Sequence, residues 1–358
     1  MELATLMWVV LPLLSPATTV QTSTTAQFIE GYAAEHGFNG SVLIQKGGKV
    51  AYARSFGLAN LPFKVANTNG TKYKIASITK AFTAVLVLQL LEQGKIDLGK
   101  PIRTYLPNYA GGGARVTVSQ LLNHTSGLPN PDKGTTIETA LTVGLPMYQR
   151  PWTSDQLLTE FCSGDLIAEP GKTFDYNNAD YIVLGKILEQ LHGRTFEQML
   201  ADRILRPLGM ANTGMLHNGQ IIDGLADTYF FRDDLKAVVA DLPVYPENWY
   251  AAGAMYSTAA DVLTFSNALF DGWLLKKETL DLMIKPGLDD YGYGVWSYEN
   301  KMKGRMVRIV KRPGRIMGAQ GQLYRVLDHD VTVVILSNNV GTTDMDEFVA
   351  EIGKRVVD

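Results

Sequence analysis

Residues 74–88 read Lys74-Ile75-Ala76-Ser77-Ile78-Thr79-Lys80-Ala81-Phe82-Thr83-Ala84-Val85-Leu86-Val87-Leu88. From Ala81 onward the stretch is apolar on nearly every face. As a helix it has no side for water, so it predicts a buried central element. Gly94 ends it. Ser77 and Lys80 stand three residues apart at its start, where side chains share one helix face. A serine hydroxyl is a weak nucleophile until a base takes its proton. A lysine becomes that base when burial and neighbouring positive charge lower its pKa. The helix N-terminus adds backbone N–H groups that favour an oxyanion. Ser-x-x-Lys is a short pattern that also arises by chance, as a helix-start serine with a solvated lysine. The apolar helix behind it tips the balance, because a buried lysine needs a reason.

Working outward, residues 40–57 alternate apolar and polar around Lys46-Gly47-Gly48-Lys49, which predicts a β-hairpin. Residues 306–310, 321–327 and 331–336 read as three further strands. Between the two groups, residues 77–93, 118–124, 154–162, 179–192, 195–204 and 259–270 have helical spacing or composition, with Gly193 and Gly272 as stops. Strands at both ends with helices between predict an α/β (α+β) fold. Its antiparallel sheet comes from both chain ends and is flanked by helices, with a mostly helical lobe inserted. The sheet lobe is expected over about residues 25–75 and 265–358, and the helical lobe over about 76–264. A cleft between the lobes is the default place for a site.

Composition narrows the chemistry. The 358 residues are 46% hydrophobic and 19% charged, which is globular rather than disordered composition. Lys and Arg total 33 against 36 Asp and Glu, a net charge of −3, so no global positive field points to nucleic acid. A single cysteine, Cys162, excludes an intrachain disulfide and multi-cysteine metal sites, and reads as a small buried hydrophobe. The five histidines have no zinc spacing, and neither a Gly-x-Ser-x-Gly elbow nor a phosphate-binding Gly-rich loop is present. No cofactor is expected. No apolar run approaches the ~20 residues of a membrane span. Leu3 to Leu14 are apolar, Ser15-Pro16-Ala17 follow in a small-x-small pattern, and Thr18 to Gln27 read as a loose polar segment. Residues 1–17 are therefore expected to be a signal peptide, atypical in lacking a basic start, and the protein to be exported, periplasmic or secreted. Residues 18–358 are expected to form one catalytic domain.

Several separated segments now carry a resemblance. These are Lys74 to Lys80, Gln120-Leu121-Leu122-Asn123-His124-Thr125-Ser126-Gly127-Leu128-Pro129, Pro170 to Tyr181 with Tyr176-Asn177-Asn178 inside it, Ile204 to Met210, Ala252 to Asp261, and Val334 to Asn338. Together they resemble the serine β-lactamase and penicillin-recognising family over roughly residues 27–357. The nearest branches are class C β-lactamases, D-Ala-D-Ala carboxypeptidases and family VIII esterases. The resemblance implies Ser77 as nucleophile, Lys80 and Tyr176 as proton carriers, and Asn178 as the amide that holds Lys80 and binds the acyl-side carbonyl. A phenol beside ammonium groups has a lowered pKa, which agrees with the role implied for Tyr176. The deacylation glutamate of class A β-lactamases has no counterpart here.

The third motif of the family, Lys-Thr-Gly or His-x-Gly, corresponds to Arg312-Pro313-Gly314, followed by Arg315. Arg312 is expected to hold a substrate carboxylate or to bias Tyr176; being permanently protonated, it shuttles nothing. Pro313 offers neither hydroxyl nor N–H, which disfavours β-lactams. Gly314 is expected to let substrate approach the backbone, and the Arg315 N–H to be the second oxyanion donor beside that of Ser77. Lys301, Lys303, Arg305, Arg308, Lys311, Arg312 and Arg315 read as a basic patch beside the cleft, either a solvated edge that blocks strand pairing or a means of steering an anionic substrate or cell-wall polymer. The expected function is a serine hydrolase acting through an acyl-enzyme on an ester, peptide or amide carbonyl, of esterase or D-peptidase type. A β-lactamase is the second reading. A non-catalytic penicillin- or peptide-binding protein is the reading from another class. The expected partner is a small-molecule or peptide acyl substrate, with no nucleic acid and no membrane span; the oligomeric state stays open.

Overall fold

The turn at Gly47-Gly48 closes the hairpin expected there. β1 (Gly40–Lys46) and β2 (Lys49–Phe56) run antiparallel, and both glycines take positive φ, 55° and 73°. That turn matches the natural twist of the two strands, and glycine adopts it without a Cβ clash. The computed structural model describes residues 24–357. The signal-peptide reading therefore lies outside the described residues, as does the loose segment up to residue 23.

β1 belongs to a six-stranded antiparallel sheet completed by β3 (Trp296–Met302), β4 (Arg305–Ile316), β5 (Ala319–Val326) and β6 (Val331–Ser337), in the order β3-β4-β5-β6-β1-β2. Gly40 pairs with Ser337, so strands from the two ends of the chain meet inside the sheet. Every residue of β5 and β6 is buried, because helices cover both faces. On one face α1 (Thr24–Glu35) packs on α5 (Met345–Val356), with the Tyr32 and Phe348 rings stacked 4.3 Å apart. On the other face α4 (Ala259–Phe270) lies against β6 and β1. Behind it sit α2 (Thr79–Glu92) and α3 (Asn178–His192), with Phe82 stacked on Phe265 at 3.7 Å. All residues of α2 from Thr79 to Leu88 are buried, as its all-round apolar pattern requires. No described helix is long and apolar enough to cross a membrane.

Four features differ from the sequence reading. Thr24 to Gln27 are not loose but open α1, because Ala26, Ile29, Tyr32 and Ala33 form a buried stripe against α5. α5 and β3 were not expected: α5 starts at the Asp344 cap and ends on Lys354 and Arg355, while β3 lacks strict alternation. β4 continues past residue 310 through Arg312-Pro313-Gly314 to Ile316. β3 pairs with β4 only as far as Lys311, so the missing N–H of Pro313 costs no bond to β3. The segment expected as a helix over 195–204 is an α-helical turn, Phe196–Leu200, followed by a π-helical turn, Ala201–Leu205.

Candidate active site

Helix α2 begins at Thr79, two residues later than expected, and Ser77 sits in a 3-10 turn, Ala76–Ile78, just before it. Ala76 holds a φ of 50°, in the left-handed region that an alanine rarely adopts. Such a backbone costs about 1–3 kcal/mol and persists only where the surroundings over-determine it. Here β4 supplies the constraint. A Cβ on Gly314 would lie 2.4 Å from the Ile75 carbonyl oxygen and 3.2 Å from the Ser77 nitrogen. Gly314 also lines the cleft beside Ser77. Its missing side chain admits the nucleophile's own turn against the strand.

Lys80 is fully buried, and its Nζ donates to Ser77 Oγ at 3.1 Å, Asn178 Oδ1 at 2.6 Å and the Ala252 carbonyl at 2.9 Å. Burial lowers its pKa to about 8; Tyr176 opposes the shift and Arg312 reinforces it. Near neutral pH a fraction of Lys80 is therefore free base, within reach of the serine proton. Asn178 turns its oxygen to Lys80 and gives an N–H to Asp132 Oδ2 at 2.7 Å. Tyr148 donates to the other Asp132 oxygen at 2.6 Å, which fixes the carboxylate and through it the amide.

Tyr176 lies between two cations. Burial raises the pKa of the phenol, but Arg312 and Lys80 pull it down further, and the net shift is downward. Arg312 is 1% exposed and spends its donors inside the protein. Nε bonds the Ser77 carbonyl at 2.6 Å, one terminal nitrogen the Tyr291 hydroxyl at 2.7 Å, and the other the Tyr176 hydroxyl. The rings of Tyr176, Tyr291 and Trp296 surround the guanidinium at 5.2–5.9 Å. Of the two roles expected for Arg312, carboxylate anchor or bias on Tyr176, the geometry provides the second. The reason is that strand β4 points this side chain inward, beneath the phenol. Arg315, three residues on, is exposed and lines the cleft.

Three positioning residues escaped the sequence reading. His124 and Asp180 form a buried pair, Nδ1 to Oδ2 at 2.8 Å, and Ser126 donates to the other Asp180 oxygen at 2.5 Å. The His124 carbonyl takes the Asp175 N–H, and its ring packs 4.5 Å from that of Tyr176. The pair therefore clamps the loop that delivers Tyr176 and Asn178. Burial, with Lys80 and Arg312 adding to it, holds His124 well below its usual pKa. Tyr291 is the third, as the buried acceptor for Arg312. The segment around His124 carries part of the resemblance, but nothing in one sequence announces its partner 56 residues away.

The cleft measures about 610 Å³ and is lined by Ser77, Tyr176, Trp296, residues 312–315 and residues 340–346. The expected basic patch is not one surface. Lys303 reaches the Val357 carbonyl at the far end of the sheet, while Arg308 pairs with Asp328 and Lys311 with Asp346. The hairpin register places Arg305 seven residues along β4 from Arg312. Cys162 is buried and its thiol is pushed up by burial, as fits a small core residue. Trp249 stacks on Tyr148 at 3.9 Å and Tyr250 packs against Phe196. Among the described residues no cluster of His, Cys, Asp and Glu could hold a metal ion.

The family model described as Beta-lactamase matches residues 25–354. The chain is 27% identical over 357 residues to penicillin-binding protein 4* of Bacillus subtilis (strain 168), covering 92% of this chain and 74% of the relative. Among solved structures it is similar to a penicillin-binding protein from Bacillus halodurans, at TM-score 0.76 and 26% identity, covering 91% of this chain and 99% of that one. It is also similar to the D-amino acid amidase of Ochrobactrum anthropi SV3 complexed with L-phenylalanine amide, at TM-score 0.75 and 26% identity, covering 93% and 97%.

Proposed function

The chain belongs to the beta-lactamase family, and from that premise we propose that it is a serine acyl hydrolase whose substrates are esters or amides rather than β-lactams. Ser77 Oγ attacks the acyl carbonyl while its proton passes to Lys80 Nζ. The backbone N–H groups of Ser77 and Arg315 take the oxyanion. Tyr176, acidified by Arg312, gives a proton to the leaving group, and the C–O or C–N bond breaks to leave an ester on Ser77. Water then attacks that ester and gives a proton to the Tyr176 phenolate, while the Lys80 ammonium returns its proton to Ser77 Oγ as the acyl–oxygen bond breaks, which restores the free enzyme. Asn178 orients Lys80 through its side-chain oxygen.

The observation that carries this reading is Lys80 Nζ, fully buried and 3.1 Å from Ser77 Oγ, with a pKa lowered to about 8. A binding protein has no need of so activated a serine. Pro313 stands where a carboxylate-binding hydroxyl is found in family members that take penicillins, which favours esters and amino-acid amides. Similarity to an amidase and to penicillin-binding proteins is consistent with either amides or slow acylation by β-lactams. Export is proposed with this function, on the apolar run Leu3 to Leu14.

The test is turnover of p-nitrophenyl acetate and of a D-amino acid amide, with intact mass recorded after a penicillin is added. Ester or amide turnover that Ser77→Ala abolishes, with an unchanged melting temperature, is the expected result. Turnover that survives Ser77→Ala overturns the mechanism. A long-lived penicillin adduct without any turnover would favour the binding protein.

A further inference from the structure

The carbonyl that takes the third donor of Lys80 belongs to a strained segment. Tyr250 opens the short helical turn Tyr250–Gly253 with φ 41° and ψ −129°, a backbone conformation that glycine adopts freely and tyrosine rarely does. The next two residues turn their carbonyls to one face of α2. Ala251 accepts from Thr83 Oγ1 at 2.7 Å, and Ala252 accepts from Lys80 Nζ at 2.9 Å. Both alanines are fully buried.

The conformation at Tyr250 is imposed from both sides. Upstream, Asn248 Nδ2 donates to the Met147 and Arg150 carbonyls, both at 2.7 Å, and Trp249 is held by its stack on Tyr148. Downstream, the Met255 carbonyl takes the Ile75 N–H at 2.9 Å. At Tyr250 itself the ring lies 5.4 Å from that of Phe196 and presses on α3 where Gly185 leaves room. A Cβ on Gly185 would sit 2.5 Å from the Tyr250 ring and 2.7 Å from the Ala251 side chain. The ring is thus a wedge between α3 and Phe196. A strained backbone persists only where its surroundings over-determine it.

We propose that Tyr250 is a positioning residue for Lys80: its wedged ring enforces a backbone turn unnatural to tyrosine, and that turn delivers the Ala252 carbonyl to the lysine Nζ. The inference rests on the part given to Lys80 in the serine-hydrolase reading and adds the element that sets the lysine's third contact. The carbonyl stabilises the ammonium, so its withdrawal lowers the pKa of Lys80. The titratable and charged groups that face Lys80 are Tyr176, Arg312, Asp132, His124 and Asp180. The Tyr250 phenol is pushed well above its usual range by burial, with Glu189 adding to it, and stays neutral throughout.

The test is the titration of Lys80 by NMR in protein labelled with carbon-13 at the lysine ε-carbon, the resonance being assigned by its loss in Lys80→Met. Tyr250→Ala removes the wedge but keeps the aversion to positive φ, so the segment relaxes. A hydrogen bond to a charged group corresponds to about one to two pKa units, and the Lys80 midpoint should fall by that amount from the parent. Tyr250→Gly removes the same wedge but accepts the positive φ, and its midpoint should stay within about half a unit of the parent. Gly185→Ala drives a methyl group into the ring and should lower the midpoint as well. Equal midpoints in Tyr250→Ala and Tyr250→Gly overturn the proposal, because a merely structural loss treats the two alike. If Tyr250→Ala does not fold, Gly185→Ala decides, and an unmoved midpoint overturns it. The titration reads Lys80 whether or not any ester is cleaved. Failure of the hydrolase reading shows separately, as the absence of Ser77-dependent turnover.

Discussion

Removal of the charge at Arg312 is the sharpest perturbation available. Arg312→Gln deletes a cation that touches the Tyr176 hydroxyl and also lowers the pKa of Lys80. Both shifts relax upward in the variant. A unit charge about 4 Å away is worth about 4 kcal/mol at the effective dielectric of a protein site and about 1 kcal/mol in water. The Lys80–Tyr176 pair should therefore titrate about one to three pKa units higher. In the parent, kcat/KM rises with pH as Lys80 loses its proton, with a midpoint near its lowered pKa of about 8. In the variant the midpoint moves up, and activity at neutral pH falls about ten- to a thousandfold. The assay is the pH profile of kcat/KM on an uncharged ester, with the melting temperature measured alongside. Arg312→Lys, which keeps the charge, should hold the parent midpoint on the rising limb. It should add a falling limb at high pH, where the new buried lysine deprotonates. A pH-independent loss with an unmoved midpoint would refute the electrostatic role and leave Arg312 as a mere strut. A raised KM confined to anionic substrates would restore the carboxylate-anchor role.

Gly314→Ala places a methyl group 2.4 Å from the Ile75 oxygen. The turn carrying Ser77 must shift, so kcat should fall more than about a hundredfold while circular dichroism shows an intact fold; near-normal kcat would contradict the close packing. His124→Gln should lower kcat by about tenfold with little change in KM, through a loosened Tyr176 loop. Its pH midpoint should not move, because His124 is already neutral over the working range. A changed midpoint would show that His124 titrates with the reaction.

Much of this site is legible in the sequence because its parts are local. Ser77 and Lys80 are one helical turn apart, and Gly47-Gly48 declares its hairpin through backbone freedom alone. Tyr176 and Asn178 are legible only through resemblance, since nothing in their neighbourhood dictates contact with Lys80. Arg312 shows the limit more clearly. Its residue type announced a fixed positive charge, but which phenol, carbonyl or ligand would meet it depends on strand β4 lying against a turn 235 residues earlier. His124–Asp180 and Asn178–Asp132 are likewise products of packing. The basic run from Lys301 to Arg315 misleads for a related reason: side chains on alternate faces and at opposite ends of a strand are neighbours in sequence but not in space.

The pairing of Gly40 with Ser337 has a consequence for biosynthesis. The first strand leaves the ribosome long before its partner exists, and its ladder groups must wait. The nucleophile waits too, because the arginine beneath Tyr176 is translated 235 residues after Ser77. At bacterial and eukaryotic elongation rates that interval is roughly 10 to 50 s. Throughout it the nascent chain carries Ser77 and Lys80 without Arg312 or Gly314. Competence for catalysis should therefore appear in one late step, and chains released before β4 is complete should be inert rather than partly active.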